Sequence, residues 1–158
     1  MRKNFTILIL LFAFFITITG CDELQSSKDP LETEESDNGK LIYRVIDDIA
    51  VLPEEAQTAI EKYKEKRGYI VLNVDEGAYI FISSGEKTTG GYSISVKSVV
   101  QTDGVTKVTV EEKSPGKFDY VTLALTYPYV IIKVTGVTDN ITVVNQKNEE
   151  LQPIKIRR

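Results

Sequence analysis

The sequence contains no histidine, and its only cysteine is Cys21. The lack of histidine excludes Ser-His and Cys-His nucleophile pairs, histidine metal sites and histidine acid-base catalysis. Because there is no second cysteine, no disulfide can form within the chain, and a hydrophobic core must stabilise any folded domain. We therefore expect a protein that is not an enzyme and that has no catalytic residue and no cofactor.

Carboxylates are the remaining candidates for acid-base or metal chemistry, and two adjacent pairs occur, Asp47-Asp48 and Glu54-Glu55. Neighbouring residues on a strand or a helix point in different directions, so neither pair is arranged to act together. No acidic spacing matches a calcium-binding loop. We interpret both pairs as solvated surface and helix-start charges, and we predict no metal site.

The N-terminal region has the layout of an export signal: a short basic region precedes the apolar run Phe5–Ile18. This run is shorter than the roughly 20 residues needed to span a bilayer as a helix. The last residue of the run begins the sequence Ile18-Thr19-Gly20-Cys21, which resembles the lipobox of bacterial lipoproteins. We expect residues 1–20 to be removed as a signal peptide and Cys21 to carry a diacylglycerol. The alternative is an ordinary buried cysteine after a secretory signal.

Lipidation of Cys21 predicts a location at the cell membrane, with the protein lipid-anchored and facing the extracytoplasmic side. Loss of residues 1–20 removes two of 19 basic residues and none of 23 acidic ones, so the net charge becomes 17 − 23 = −6. An acidic protein is a poor partner for nucleic acid. Residues 21–39 comprise the lipidated cysteine and an acidic, Ser-containing segment that predicts a disordered tether. Recruitment of a basic partner by this segment is the alternative.

Residues 40–158 are predicted to form a single globular domain that begins with a strand and a turn in Leu41–Leu52. A helix is predicted over about residues 53–67, since Pro53 suits a helix start and Gly68 a helix end. Its apolar positions recur at spacings of four and three (Ala56, Ile60, Tyr63) and form one face. We expect this helix to pack on one face of a sheet.

The remaining residues are short β-branched and aromatic runs separated by turn signals. Two hairpins are predicted, with turns at Asp75-Glu76-Gly77 and Thr102-Asp103-Gly104. The predicted fold class is α+β, mainly β, with an antiparallel sheet folded into a sandwich or a half-open barrel. The predicted strands are Tyr69–Val74, Ala78–Ser83, Tyr92–Gln101, Val105–Glu112, Tyr120–Thr126, Tyr129–Val134 and Asn140–Asn145.

Two segments between strands are candidates for function. Ser84–Ser93 contains three glycines in seven residues, which indicates either a long hairpin loop relieved of backbone strain or a surface that another chain approaches closely. In Ser114–Tyr129, Pro128 must break a strand or place it at an edge. The tyrosines of this second segment either complete the core or form contacts with a partner. The candidate partner-binding residues are Lys87, Thr88, Thr89, Gly90, Gly91, Tyr92, Tyr127, Pro128 and Tyr129.

Residues 85–94 read GEKTTGGYSI. This stretch resembles the pattern G-E-K-P-T-G-G-Y-S-I of the PrcB-type domain found in lipoprotein subunits of bacterial surface protease complexes, and the resemblance covers about Tyr69–Thr135. Thr88 departs from this pattern, and the missing proline loosens the loop. Two further matching stretches follow in the same order, Glu112-Lys113-Ser114-Pro115-Gly116 and Thr126-Tyr127-Pro128-Tyr129.

The resemblance implies a non-catalytic accessory subunit that binds and stabilises a secreted or surface protease. In a second resemblance, the Thr-Thr-Gly-Gly-Tyr stretch at residues 88–92 is similar to the N-P-T-T-G-Y loop of chagasin-like cysteine-protease inhibitors. Those inhibitors act by loop insertion. The asparagine and proline of that loop are missing here. A structural or ligand-sensing envelope lipoprotein is the third alternative.

Overall fold

The computed structural model describes residues 39–74 and 77–156. The predicted signal peptide, Cys21 and nearly all of the predicted tether lie outside the described residues, as does part of the first hairpin turn. The elements are β1 (Tyr43–Val45), a 3-10 helix (Ile49–Val51), α1 (Glu54–Tyr63), β2 (Arg67–Val74), β3 (Gly77–Ser84), β4 (Ser93–Thr102), β5 (Val105–Lys113), β6 (Tyr129–Val134), β7 (Asn140–Asn145) and β8 (Glu150–Leu151).

The strands form two four-stranded sheets. The first sheet has the order β1-β6-β3-β2 and is antiparallel throughout, and the second has the order β4-β5-β7-β8. The predicted sandwich is confirmed, and the described strands do not close into a barrel. The predicted antiparallel pairing is found in every pair of described strands except β5 and β7, which are parallel. The chain leaves the second sheet after β5, adds β6 to the first sheet and returns, so β7 runs in the same direction as β5.

The main core lies between the two sheets. Aliphatic side chains that alternate along the strands point inward from both sides, as expected for strands buried on one face. Those with no exposed surface are Ala78, Ile80, Ile82, Ile132 and Val134 from the first sheet and Val99, Val108, Val110, Val143 and Leu151 from the second.

Helix α1 forms a third layer on the outer face of the first sheet. Its residues Ala56, Ile60 and Tyr63 are buried against Phe81 and Ile131 of β3 and β6. The predicted packing of a helix on one sheet face is therefore confirmed. No helix in residues 39–74 and 77–156 is long and apolar enough to cross a membrane.

The predicted bounds of the helix are wrong at its C-terminal end. Pro53 is the N-cap, and the helix ends at Tyr63 because the chain turns there through a hydrogen bond from Lys66 N to Tyr63 O. Arg67 and Gly68 already belong to β2. Gly68 has φ +150°, and a Cβ on it would collide with the carbonyl oxygen of Gln152. Its role is close approach between backbone segments and not helix termination.

Among the predicted strands, β6 and β7 have the predicted bounds, and β2–β3 and β4–β5 form the two predicted hairpins. Strand β8 was not predicted. The predicted strand Tyr120–Thr126 is wrong, since only Thr126 pairs there, in an isolated bridge with Lys87. This segment instead connects β5 of the second sheet to β6 of the first.

Candidate functional site

Two loops join the sheets at the same end of the sandwich. Loop A (residues 85–92) leads from β3 in the first sheet to β4 in the second, and loop B (residues 114–128) leads from β5 back to β6. The interpretation of Ser84–Ser93 as a hairpin loop is therefore wrong, because β3 and β4 are not paired. Each loop closes this end of the core by crossing between the sheets.

Loops A and B are hydrogen-bonded to each other. Lys87 and Thr126 exchange two backbone bonds of 2.9 Å, and Gly90 N donates to Thr122 O at 2.9 Å. The hydroxyl of Thr126 donates to Thr89 O at 2.8 Å. We call this set of four bonds the clasp. It brings six of the nine candidate residues, Lys87 to Tyr92, alongside the segment that leads to the other three.

The paired glycines of loop A lie directly against loop B. A Cβ on Gly90 would be 2.5 Å from Thr122 Oγ1. Gly91 has φ +85°, and a Cβ there would be 2.9 Å from Pro115 Cβ and 3.1 Å from Val121 Cγ1. The close approach that these glycines permit is thus made by loop B of the same chain. Only a residue without a side chain fits both the backbone angle and the space at Gly91.

The start of loop A is fixed to the turn that follows α1. Gly85 has φ +75°, and a Cβ on it would be 2.9 Å from Arg67 N. Glu86 N donates to Glu65 O at 3.0 Å, and the buried Ser83 hydroxyl donates to Lys64 O at 2.8 Å. The loop therefore leaves β3 in one defined direction.

Glu112, at the end of β5, holds the start of loop B to the first sheet. Arg67 donates to both of its carboxylate oxygens, at 2.7 and 3.2 Å. Gln146 makes two further bonds with the Glu112 backbone, at 3.0 and 2.8 Å. Burial opposes ionisation of this carboxyl, but the hydrogen bond and charge of Arg67 outweigh it and lower the pKa of Glu112. Glu112 is thus an ionised link between the two sheets.

The three candidate tyrosines are partly exposed rather than core residues. The Lys87 ammonium lies 5.5 Å from the Tyr92 ring centre, and Lys64 lies 5.6 Å from that of Tyr127. The Tyr127 hydroxyl donates to Glu86 at 3.4 Å. Burial, with the nearby Glu86 charge, raises the pKa of Tyr127, so its phenol stays protonated and able to donate.

The remaining candidates differ in their surroundings. Thr88 is exposed at the outer side of loop A, and Pro128 O accepts from Ser84 N at 3.0 Å, which fixes the point where loop B enters β6. Tyr129 is the first residue of β6. The centre of its ring lies 5.4 Å from the centre of the Phe81 ring, on the helix side of the first sheet. Tyr129 therefore lies on a different face from the inter-sheet core.

The sequence-based prediction missed a group of four exposed apolar residues in loop B. Phe118 and Leu123 are 88% and 91% exposed, Tyr120 is fully exposed, and Leu125 is 57% exposed. We call residues 117–125 the apolar tip of loop B. The alternation of Val121, Leu123 and Leu125 resembles a half-buried strand, so their exposure could not be anticipated without knowing that the segment has no neighbouring strand.

The two carboxylate pairs belong to neither loop. Asp48 caps the 3-10 helix by accepting from Ala50 N at 2.8 Å, and Glu54 and Glu55 occupy the first turn of α1. Within the described ranges, no three metal-ligating side chains group together.

The chain matches a known family model over part of its length. The family model described as PrcB C-terminal matches residues 78–135, which run from the start of β3 to just beyond β6 and contain both loops. The PrcB-type domain indicated by the loop motifs is thereby confirmed for these residues. No curated protein and no solved structure gives a significant match.

Proposed function

We propose that this chain is a lipid-anchored, non-catalytic accessory subunit that binds and stabilises a secreted or surface protease through loops A and B. The observation that carries the proposal is the match of residues 78–135 to the PrcB C-terminal family, since this stretch contains the whole clasped pair of loops. The family is linked by name to protease complexes, which suggests a protein partner of that kind.

The clasp suits a binding surface. Its four hydrogen bonds hold two loops in one arrangement before any partner arrives. A preformed surface loses little conformational entropy on association, so more of the contact energy remains as affinity. The partly exposed Tyr92 and Tyr127 add amphipathic rings of the type enriched at protein interfaces.

The direction of the loops agrees with anchoring through Cys21. The chain enters the domain beside the far end of β4, where Gly39 O accepts from Gln101 N at 2.7 Å. Loop A meets the opposite end of β4 at Ser93, eight residues from Gln101, which corresponds to about 26 Å. A lipid-bearing tether at one end thus leaves the loops at the other end free to face outward.

The test is the affinity of the full chain for individually purified extracytoplasmic proteases of the same bacterium. Tyr92→Ala is compared with Tyr79→Ala, a matched control because Tyr79 is also half-buried and also lies under a lysine, Lys133, at 5.8 Å. We expect Tyr92→Ala to weaken binding about 10-fold or more and Tyr79→Ala to leave it unchanged. Equal binding by both variants would exclude loop A from the interface.

Inhibition by loop insertion receives less support. An inserting loop presents free backbone groups to a cleft, whereas Lys87, Thr89 and Gly90 already use theirs in the clasp. No structural observation favours a ligand-sensing role over the protein-binding one.

A further inference from the structure

The apolar tip of loop B carries an unusual concentration of exposed apolar surface. Four large side chains, those of Phe118, Tyr120, Leu123 and Leu125, are mostly in solvent within eight residues. Single exposed apolar residues are ordinary, but a contiguous group of several hundred Å² marks an interaction site. The tip therefore requires an explanation that the folding of this domain does not supply.

The tip is held at Asp119, Val121 and Thr122, and not at its four exposed apolar residues. Gly116 and Asp119 close a turn through bonds of 2.7 and 3.1 Å, and Thr122 O accepts from Gly90 N. Among contacts between described residues, the amides of the four exposed apolar residues donate no hydrogen bond. The tip thus presents apolar side chains together with free backbone donors.

These features indicate that the apolar tip binds a protein and not a lipid surface. Backbone donors that enter hydrocarbon lose their water without gaining partners, whereas a protein groove offers carbonyl groups to receive them. Lys117 and Asp119 are the charged residues of the tip, so it has no net charge to attract anionic headgroups. The tip also lies at the end of the sandwich opposite the point where the chain enters at Gly39.

We infer that the apolar tip inserts into an uncharged apolar groove, lined partly by backbone carbonyl groups, on the partner protease. This inference rests on the proposed function and names the part of the interface that contributes most to affinity. The clasp acts as the support that aims the tip, and Phe118, Tyr120, Leu123 and Leu125 fill the groove.

Fluorescence tests the insertion directly, because the chain has no tryptophan. The full chain with Tyr120→Trp is mixed with each purified protease, and Val51→Trp, at another exposed position beside the start of α1, is the control. We expect a blue shift and protection from acrylamide quenching for Trp at 120 and no change at 51. The same shift with phosphatidylglycerol vesicles, or with rising concentration of the chain alone, would assign the tip to lipid or to self-association and overturn the inference.

Affinity gives the second test. The triple variant Phe118→Ser, Leu123→Ser and Leu125→Ser is compared with a control that replaces three exposed apolar residues outside loops A and B, Ile42, Val45 and Val51, by serine. We expect the tip variant to lose on the order of 100-fold in affinity and the control to bind like the wild type. Equal unfolding midpoints for the two variants show that the loss belongs to the interface.

The outcomes separate the inference from the proposed function. If the wild type and the tip variant bind a protease equally well, the inference is wrong and the proposed function stands. If the wild-type chain binds none of the proteases, the proposed function is wrong and the inference fails with it.

Discussion

Replacing Gly91 by alanine measures how tightly loop A packs against loop B. Gly91 and Gly104 both have left-handed backbone angles, φ +85° and +76°, but a Cβ at Gly91 would lie 2.9 Å from Pro115, whereas one at Gly104 would meet nothing within 4 Å. The left-handed conformation costs alanine about 1–2 kcal/mol at either site. That cost cancels in the comparison of the two variants.

The difference between the variants is then the cost of forcing a methyl group against Pro115 and Val121. Overpacking of this kind costs about 1–3 kcal/mol. We therefore expect Gly91→Ala to lower the free energy of unfolding by about 1–3 kcal/mol more than Gly104→Ala does. Urea denaturation with linear extrapolation measures both values.

Local opening of the clasp is the other way to relieve the clash. In that case the Gly90 amide, which donates to Thr122 O, loses protection from hydrogen exchange about 10-fold for each 1.4 kcal/mol. Equal unfolding free energies for the two variants, together with unchanged exchange at Gly90, would refute the packing described for these loops.

Three further predictions concern Glu112, Tyr69 and Cys21. Glu112→Gln should lower stability at pH 7 by about 0.5–1 kcal/mol through loss of the ionic bond to Arg67, whose side chain is 41% exposed. Folding lowers the pKa of Glu112, so this stabilisation is fully present above the ordinary pKa of about 4.5 and is lost as the pH falls through the pKa of the folded protein. The unfolding free energies of the wild type and the variant should therefore converge in acid. Tyr69→Phe should cost about 1 kcal/mol in urea denaturation, since the buried hydroxyl donates to Ile141 O at 2.9 Å across the sandwich. Cys21→Ala should release the protein from the membrane fraction and leave its unfolding midpoint unchanged.

Each of these predictions has an outcome that contradicts it. A constant difference between Glu112→Gln and wild type from pH 7 to pH 3 would show that the carboxylate charge contributes nothing. An unaltered midpoint for Tyr69→Phe would mean that the hydroxyl is solvated equally well elsewhere. A Cys21→Ala protein that misfolds in soluble form would assign the cysteine a structural role.

Features that depend on local chemistry could be predicted from the sequence. Strand β6 begins directly after Pro128, because proline cannot donate to the ladder, and β6 and β7 have the predicted bounds. The apolar face of α1 follows from spacings of three and four. The motifs of loops A and B were sufficient to indicate the PrcB-type domain, which the family match confirms for residues 78–135.

Features that depend on long-range pairing could not be predicted. The residues of β5 and β7 show where each strand lies, but nothing in them states that β6 joins the other sheet and makes the pair parallel. Alternation in residues 120–126 is equally compatible with a half-buried strand and with an exposed loop. Gly68 is equally suited to ending a helix and to close packing in β2, and only the position of Gln152 distinguishes these roles.

The activity and lifetime of a bound protease test the central proposal most directly. A purified extracytoplasmic protease is titrated with the full chain to one equivalent, and its turnover and its half-life at the growth temperature are measured. If the chain is an accessory subunit, the turnover of the protease is unchanged or increased and its half-life is longer, with a break in the titration at one equivalent. A fall of turnover toward zero at that ratio would contradict the proposal and identify an inhibitor.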